Sequence, residues 1–284
     1  MNGFVNLIKP VGATASDMVV CLKKIYSIKK VGHMGTLDPG AAGVLPVAVG
    51  KATCLFDYLT AKRKTYRAWF TFGKTTDTLD SYGVVTGRSD LPERSAVVGA
   101  LPQFVGEIVQ VPPMYSAINV NGQRAYDLAR QGQTVELKSR TVNVYRFELV
   151  RTEGEATYVF DIECGGGTYI RSLCRDLAEK LGCVAYMSAL IRTSSGTFDL
   201  SNAVTIDQVR ERPMDCLLSV DFAIGDVGSY VFSGTLYDKL NNGVKLKCNF
   251  TGYKKIYCND ILFGLGRCVD GRLQLDYYLK DANN

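Results

Sequence analysis

Histidine is almost missing from this chain of 284 residues: His33 is the only one, which excludes a three-imidazole zinc site by inventory alone. The nine cysteines (Cys21, Cys54, Cys164, Cys174, Cys183, Cys216, Cys248, Cys258, Cys268) form no C-x-x-C pair, so no metal is expected, and they read as reduced, mostly buried thiols. Cys248, Cys258 and Cys268 fall ten residues apart, a spacing that suits successive short strands better than a zinc site. No stretch approaches the roughly 20 apolar residues that span a bilayer. The opening MNGFVNLIKPVG has neither a basic leader nor a small-residue cleavage site, so the cytoplasm is the expected location. There is no G-x-S-x-G, H-E-x-x-H or G-x-G-x-x-G pattern, and the triple glycine Gly165-Gly166-Gly167 lacks the Lys-Ser/Thr ending of a nucleotide-binding loop. With 8 prolines, 46% hydrophobic and 21% charged residues and no Gly/Ser-rich tract, the chain should be folded nearly throughout.

What is present is positive charge in one region. Residues 9–74 carry eleven Lys/Arg (Lys9, Lys23, Lys24, Lys29, Lys30, Lys51, Lys62, Arg63, Lys64, Arg67, Lys74) against Asp17, Asp38 and Asp57, which is +8 of a net +5. The rest of the chain therefore sums to −3. Either this is a solvated basic face, or it is a surface that tracks phosphates and binds less tightly as salt rises.

The pattern of elements is mixed. VNLIKPVGATASDMVVCLKKIY predicts a short strand, a Pro-Gly turn and a helix with Ser16 as N-cap and Val19, Val20, Leu22 and Ile25 on its buried side. The glycine-rich stretch from Val31 to Gly43, with Asp38-Pro39-Gly40, predicts a loop. KTYRAWFTFG alternates as a strand with Tyr66, Ala68, Phe70 and Phe72 on one face. The following stretch predicts a short helix, a strand, an Asn121-Gly122 hairpin and a compact helix, an excursion in which Arg124, Arg130, Lys138 and Arg140 outnumber the apolar anchors. YVFDIECGGGTYIRSLCRDLAEKLG predicts a strand and an amphipathic helix capped by Thr168, striped by Ile170, Leu173, Leu177 and Leu181, and closed by Gly182. After Asp221, short strands alternate with turns.

Read alone, Asp38 is a carboxylate that stabilises a turn. Its surroundings change the reading: the sole histidine lies five residues ahead of it. Arg171 falls in the first turn of a predicted helix, where the dipole disfavours a cation unless an anion such as Asp38 compensates it. Tyr66 lies on the apolar face of its strand.

Taken together, HMGTLDPGAAGVLPVAVGKAT, KTYRAWFTFGKTTDTLDSYG, CGGGTYIRSLCRDLAEKLG, SALIRTSSG and the opening KPVGATAS resemble, in order, the motifs of the TruB family of tRNA pseudouridine synthases. PPMYSAINVNGQRAYDLARQG resembles the family's insertion that closes on the T-arm of tRNA, and FGLGRCVDGRLQ is similar to a PUA-type RNA-binding module. The resemblance implies an α+β catalytic domain over residues 1–220, built on a curved, largely antiparallel mixed sheet, with an RNA-gripping insertion at 113–140. A short PUA-like β domain would occupy 221–284. It implies isomerisation of uridine to pseudouridine at position 55 of the tRNA T-loop, by a monomer, without metal or redox cofactor. Asp38 would be the nucleophile, Tyr66 would stack on the base and assist proton removal from C5, and Arg171 would hold Asp38 ionised. Tyr169 and Leu190 would line the base pocket, Asp80 would support the arginine, and His33 would fill the space the extruded nucleotide vacates. The rival readings are a tRNA-binding protein without catalysis and a guide-RNA-dependent relative; the Asp38, Tyr66 and Arg171 set argues against the first, and the absence of long basic tails against the second.

Overall fold

The structure, a computed structural model, describes residues 1–280 apart from 117, 121, 134 and 226. In chain order the first half comprises β1 (Gly3–Lys9), α1 (Ala15–Tyr26), β2 (Val31–His33), β3 (Ala41–Val49), α2 (Phe56–Thr60), β4 (Lys64–Phe72), β5 (Lys74–Thr76), β6 (Val85–Arg88), α3 (Arg94–Ala100) and β7 (Gly106–Gln110). There follow β8 (Asn119–Val120), β9 (Gln123–Arg124), α4 (Ala125–Arg130), β10 (Arg140–Glu153), β11 (Thr157–Cys164), α5 (Ile170–Lys180), β12 (Ala185–Ser195), β13 (Phe198–Asp199), α6 (Ile206–Glu211) and α7 (Val220–Ile224). The chain ends in β14 (Ser229–Phe232), α8 (Tyr237–Asn241), β15 (Lys254–Cys258), β16 (Ile261–Val269) and β17 (Arg272–Tyr278). Strands β8 and β9 pair as a hairpin; Asn121 of the predicted turn lies outside the described residues.

The main sheet runs β1-β3-β12-β4-β11-β10-β7, with β2 on β3 and β13 on β12. All of its pairs are antiparallel except β3 with β12, where Leu190, Ile191 and Arg192 run parallel to Ala41, Ala42 and Gly43. One face of the sheet is covered by α1 and α5, whose Leu22, Leu173 and Leu177 pack with Leu45, Phe70 and Phe160. The other face of β1 and β3 is covered as well: Phe4, Val44 and Ala48 pack with Leu262, Leu265 and Leu279 of the C-terminal region. Burial on both faces is why GVLPVAV reads as a continuous apolar run rather than an alternation. The four-stranded sheet β14-β15-β16-β17 has a further core of its own around Ile256, Phe263 and Leu273. Six of the nine cysteines are buried and all nine are free.

Several local expectations are corrected. Helix α1 is capped by Thr14, not Ser16: the Thr14 hydroxyl accepts from the Asp17 N–H at 3.0 Å, and the Asp17 carboxylate accepts from the Thr14 N–H at 2.8 Å. Its buried side is Ala15, Met18, Val19, Leu22 and Tyr26, while Val20 faces solvent. The stretch expected to be a loop from Val31 is partly strand, because Val31–His33 pairs with Val47–Val49, a partner too distant in sequence for local pattern to reveal. Thr168 does not cap α5. The N-cap position falls at Tyr169, whose own peptide groups are held by the buried Gln110 amide: Oε1 accepts from the Tyr169 N–H at 2.8 Å and Nε2 donates to the Tyr169 carbonyl at 3.0 Å. Gly182 closes α5 with φ of 70°. The triple glycine serves packing: a Cβ on Gly166 would sit 2.3 Å from the Thr60 carbonyl oxygen.

Two measurements follow from these contacts. Thr14→Ala should lower unfolding free energy by about 1 kcal/mol and Ser16→Ala by less than about 0.5 kcal/mol in urea denaturation; equal losses would return the cap to Ser16. Burial raises the thiols of Cys164, Cys174, Cys183, Cys216, Cys248 and Cys258 above 9.0, and lifts the Tyr26, Tyr66 and Tyr277 phenols from 10.0 to about 12. Above about pH 9 the folded chain then binds more protons at these groups than the unfolded chain, so stability falls with pH. Lys9 and Lys64, lowered from 10.5 to about 8, oppose the trend but are only two groups. The urea midpoint should be lower at pH 10 than at pH 8; an equal or higher midpoint would mean the buried thiols titrate freely in the fold.

Candidate active site

The parallel contact between β3 and β12 sets the geometry. It places the turn that precedes β3, with Asp38, beside Leu190 and Arg192 of β12, and β12 in turn holds Arg192 opposite Tyr66 on β4. Above this junction is a cavity of about 680 Å³ lined by Asp38, Tyr66, Asp80, Tyr169, Arg171 and Leu190, among others. Six of the seven side chains singled out from the sequence therefore meet in one place. His33 is the exception: it lies on β2, half-buried and outside the cavity lining, with its Nδ1 buried and unpaired. Burial and the nearby Arg192 charge hold it below the ordinary imidazole value.

Arg171 is buried, with its side chain 5% exposed, and its Nε lies 2.9 Å from Asp38 Oδ2. The contact is ionic rather than an aligned hydrogen bond, since the Nε–H has no acceptor in line. One terminal nitrogen donates to the Thr78 carbonyl at 3.0 Å and lies 3.6 Å from Asp80 Oδ2; the other donates to the Tyr115 carbonyl at 2.9 Å. One guanidinium thus links the Asp38 turn, the loop at 77–84 and the segment after β7. Asp80 is itself held, because its Oδ1 accepts from the Thr78 hydroxyl at 2.6 Å and the Tyr82 N–H at 3.0 Å.

Tyr66 is 7% exposed, and burial pushes its phenol up to about 12 while the Arg192 charge opposes the shift. Also in the cavity lining, the Arg140 guanidinium lies 4.4 Å from the centre of the Tyr169 ring.

The basic stretch of residues 9–74 is not wholly a surface. Lys9 and Lys64 are buried: the Lys9 amine donates to the carbonyls of Pro10, Ala13 and Pro39, and the Lys64 amine to those of Thr60 and Lys62. Arg63 and Arg67 pair with Glu163 and Asp161 on β11. Lys23, Lys24, Lys29 and Lys30 remain exposed at the end of α1 and just beyond.

Arg192 escaped the sequence reading. It is 1% exposed, lines the cavity and has no carboxylate within ion-pair distance among the described residues. Its guanidinium donates to the carbonyls of Val44 at 2.7 Å, Thr36 at 3.2 Å and Gly35 at 3.4 Å, tying down the chain on both sides of Asp38. A signal existed: Leu190 and Arg192 are two apart in a strand, so placing one in the pocket places the other on the same face.

Residues 23–170 match the model of the TruB family pseudouridylate synthase N-terminal domain, and residues 171–216 that of the tRNA pseudouridylate synthase B C-terminal domain. The chain belongs to the TruB family. It is 40% identical to tRNA pseudouridine synthase B of Alkaliphilus oremlandii over 88% of this chain and 84% of that one, and 38% identical to that of Clostridium perfringens over 98% and 99%. Among solved structures, a Cbf5-Nop10-Gar1 complex aligns with a TM-score of 0.74 and 26% identity, covering 96% of this chain and 83% of that one. An H/ACA RNP bound to a substrate RNA containing 2′-deoxyuridine aligns at 0.73 and 24% identity, over 99% and 87%, a likeness of fold. The α+β fold with its mixed sheet and C-terminal β sheet is thus shared with these two solved structures. No helix among the described residues is long and apolar enough to cross a membrane.

Replacing Arg192 by methionine removes donors from three carbonyls around the Asp38 turn. The expected loss is about 3 kcal/mol in urea denaturation. A loss below about 1 kcal/mol would show that those carbonyls find other donors.

Proposed function

We propose that this chain isomerises the uridine at position 55 in the T-loop of tRNA to pseudouridine, acting as a monomer with Asp38 as nucleophile. Isomerisation of uridine to pseudouridine in tRNA is the reaction of the TruB family, and the chain aligns along 98% of its length with a tRNA pseudouridine synthase B. The observation that carries the residue assignment is the Asp38–Arg171 contact at 2.9 Å in the wall of the cavity.

The reaction breaks the N1–C1′ bond, turns the detached uracil and joins C5 to C1′, with loss of the C5 proton and gain of one at N1. Atoms and electrons balance within the nucleotide. Asp38 supplies the carboxylate for a transient covalent or ion-paired intermediate. The Arg171 guanidinium, its Nε 2.9 Å from Asp38 Oδ2, sets a fixed positive charge against that carboxylate. Asp80 and the Thr78 and Tyr115 carbonyls keep that guanidinium in place. Tyr66, in the cavity lining, stacks on the base and assists proton removal from C5; burial pushes its phenol up to about 12, and the Arg192 charge opposes that shift. Tyr169 and Leu190 wall the base. A uridine stacked inside a folded loop must leave its stack to reach Asp38, and His33, outside the cavity, fills the vacated space. The insertion at 113–140, whose Tyr115 and Tyr126 reach the cavity, closes on the T-arm, and residues 221–284 form a PUA-like RNA-binding domain beside the catalytic domain of 1–220.

Purified protein should convert the T-loop uridine of an unmodified tRNA transcript without added cofactor, read by carbodiimide mapping. Asp38→Asn should lower the rate at least about a thousandfold and leave tRNA binding within a few fold. Full conversion by Asp38→Asn would overturn the mechanism. Conversion at another uridine would overturn the substrate.

A further inference from the structure

At the cavity mouth one aromatic side chain has no part in the chemistry above. Tyr82 is 61% exposed, the most exposed aromatic among the described residues, yet it lines the cavity, where Tyr66 is buried and Tyr115, Tyr126 and Tyr169 are half-buried. Its ring leans on the turn that carries Asp38. A Cβ on Gly40 would lie 2.5 Å from Tyr82 Cε2 and 2.9 Å from Cδ2, so the Cδ2–Cε2 edge of the ring lies nearest that glycine.

The backbone beneath the ring is tied down. The Tyr82 N–H donates to Asp80 Oδ1 at 3.0 Å and the Val84 N–H to Asp77 Oδ1 at 2.8 Å. A side chain at Gly83 would collide with Asp77 and Thr78, so the loop is closely packed as well as hydrogen-bonded. An exposed tyrosine held in one place by its backbone and by contact along one edge is a preorganised π-surface, beside the opening through which a nucleotide must pass to reach Asp38.

We propose that Tyr82 is a nucleobase subsite: it stacks on an unpaired base of the RNA strand immediately next to the uridine that enters the cavity. This rests on the reading of the cavity as a uridine site. When one nucleotide leaves its stack, its neighbour in the strand loses a stacking face, and an aromatic ring at the rim replaces it. The recognition is by π-stacking and so tolerates any base. The phenol hydroxyl is not required.

The test crosses two protein variants with three RNAs. Wild type, Tyr82→Ala and Tyr82→Phe are assayed on an intact T-arm stem-loop and on two stem-loops carrying an abasic nucleotide on the 5′ or the 3′ side of the target uridine. Tyr82→Ala should raise KM about 5- to 50-fold with a smaller effect on kcat, and Tyr82→Phe should restore the wild-type KM. One of the two abasic RNAs should cost the wild type a similar factor and cost Tyr82→Ala no more than about twofold further, the signature of two groups that touch. If Tyr82→Ala lowers kcat and leaves KM in place, the ring merely braces the Asp38 turn and the proposal falls. It falls equally if both abasic losses add in full to the Tyr82→Ala loss. Absence of any conversion of the intact RNA by wild type would instead bring down the uridine reading itself, and the subsite with it.

Discussion

The site depends on one buried cation. Arg171 sits in the first turn of α5, where the helix dipole disfavours positive charge, and burial removes most of the water that would otherwise solvate it. Two carboxylates and two carbonyls meet that demand, and they come from three separate segments: the turn before β3, the loop between β5 and β6, and the stretch after β7. A guanidinium can serve all of them because it is planar and multiply donating; an ammonium presents one point charge and could not span the same spread of acceptors. The loop walls of the cavity thus converge on a single side chain.

A second buried arginine does complementary work without any carboxylate. Arg192 is held by carbonyls on both sides of the Asp38 turn and reaches there because β12 lies between β3 and β4, parallel to one and antiparallel to the other. The break in the antiparallel order shapes the cavity: it brings the start of β3 alongside the residues of β12 that line it. Lys9 and Lys64 are buried on carbonyls in the same way, and the Lys9 amine also donates to the Pro39 carbonyl next to Asp38.

The local lessons concern competition between nearby and distant partners. Ser16 and Thr14 are both acceptable caps by residue type, and the choice fell to Thr14 because Asp17 stands three residues beyond it and completes a reciprocal box. Thr168 is a good capping residue by type, but its hydroxyl donates to the Gly165 carbonyl, and the Gln110 amide arriving from β7 holds the backbone of Tyr169 at the N-cap position. The strand at Val31–His33 exists because β3 offers it an edge. Arg140, read from sequence as part of a basic excursion, lies against Tyr169 in the cavity wall.

The sequence by itself determined the family, the alternation that buries Tyr66, the helix that carries Arg171 and the need of that arginine for an anion. These depend on residue type, short-range periodicity and motif order, all of which are local. Only the tertiary structure decided that Asp38 and Asp80 both answer Arg171, that Arg192 bonds the chain on both sides of Asp38, that Lys9 and Lys64 are interior rather than surface charges, and that His33 stands outside the cavity. Those outcomes depend on which strand lies beside which, and strand order is settled by burial of both faces of β1 and β3 across pairings far apart in the chain.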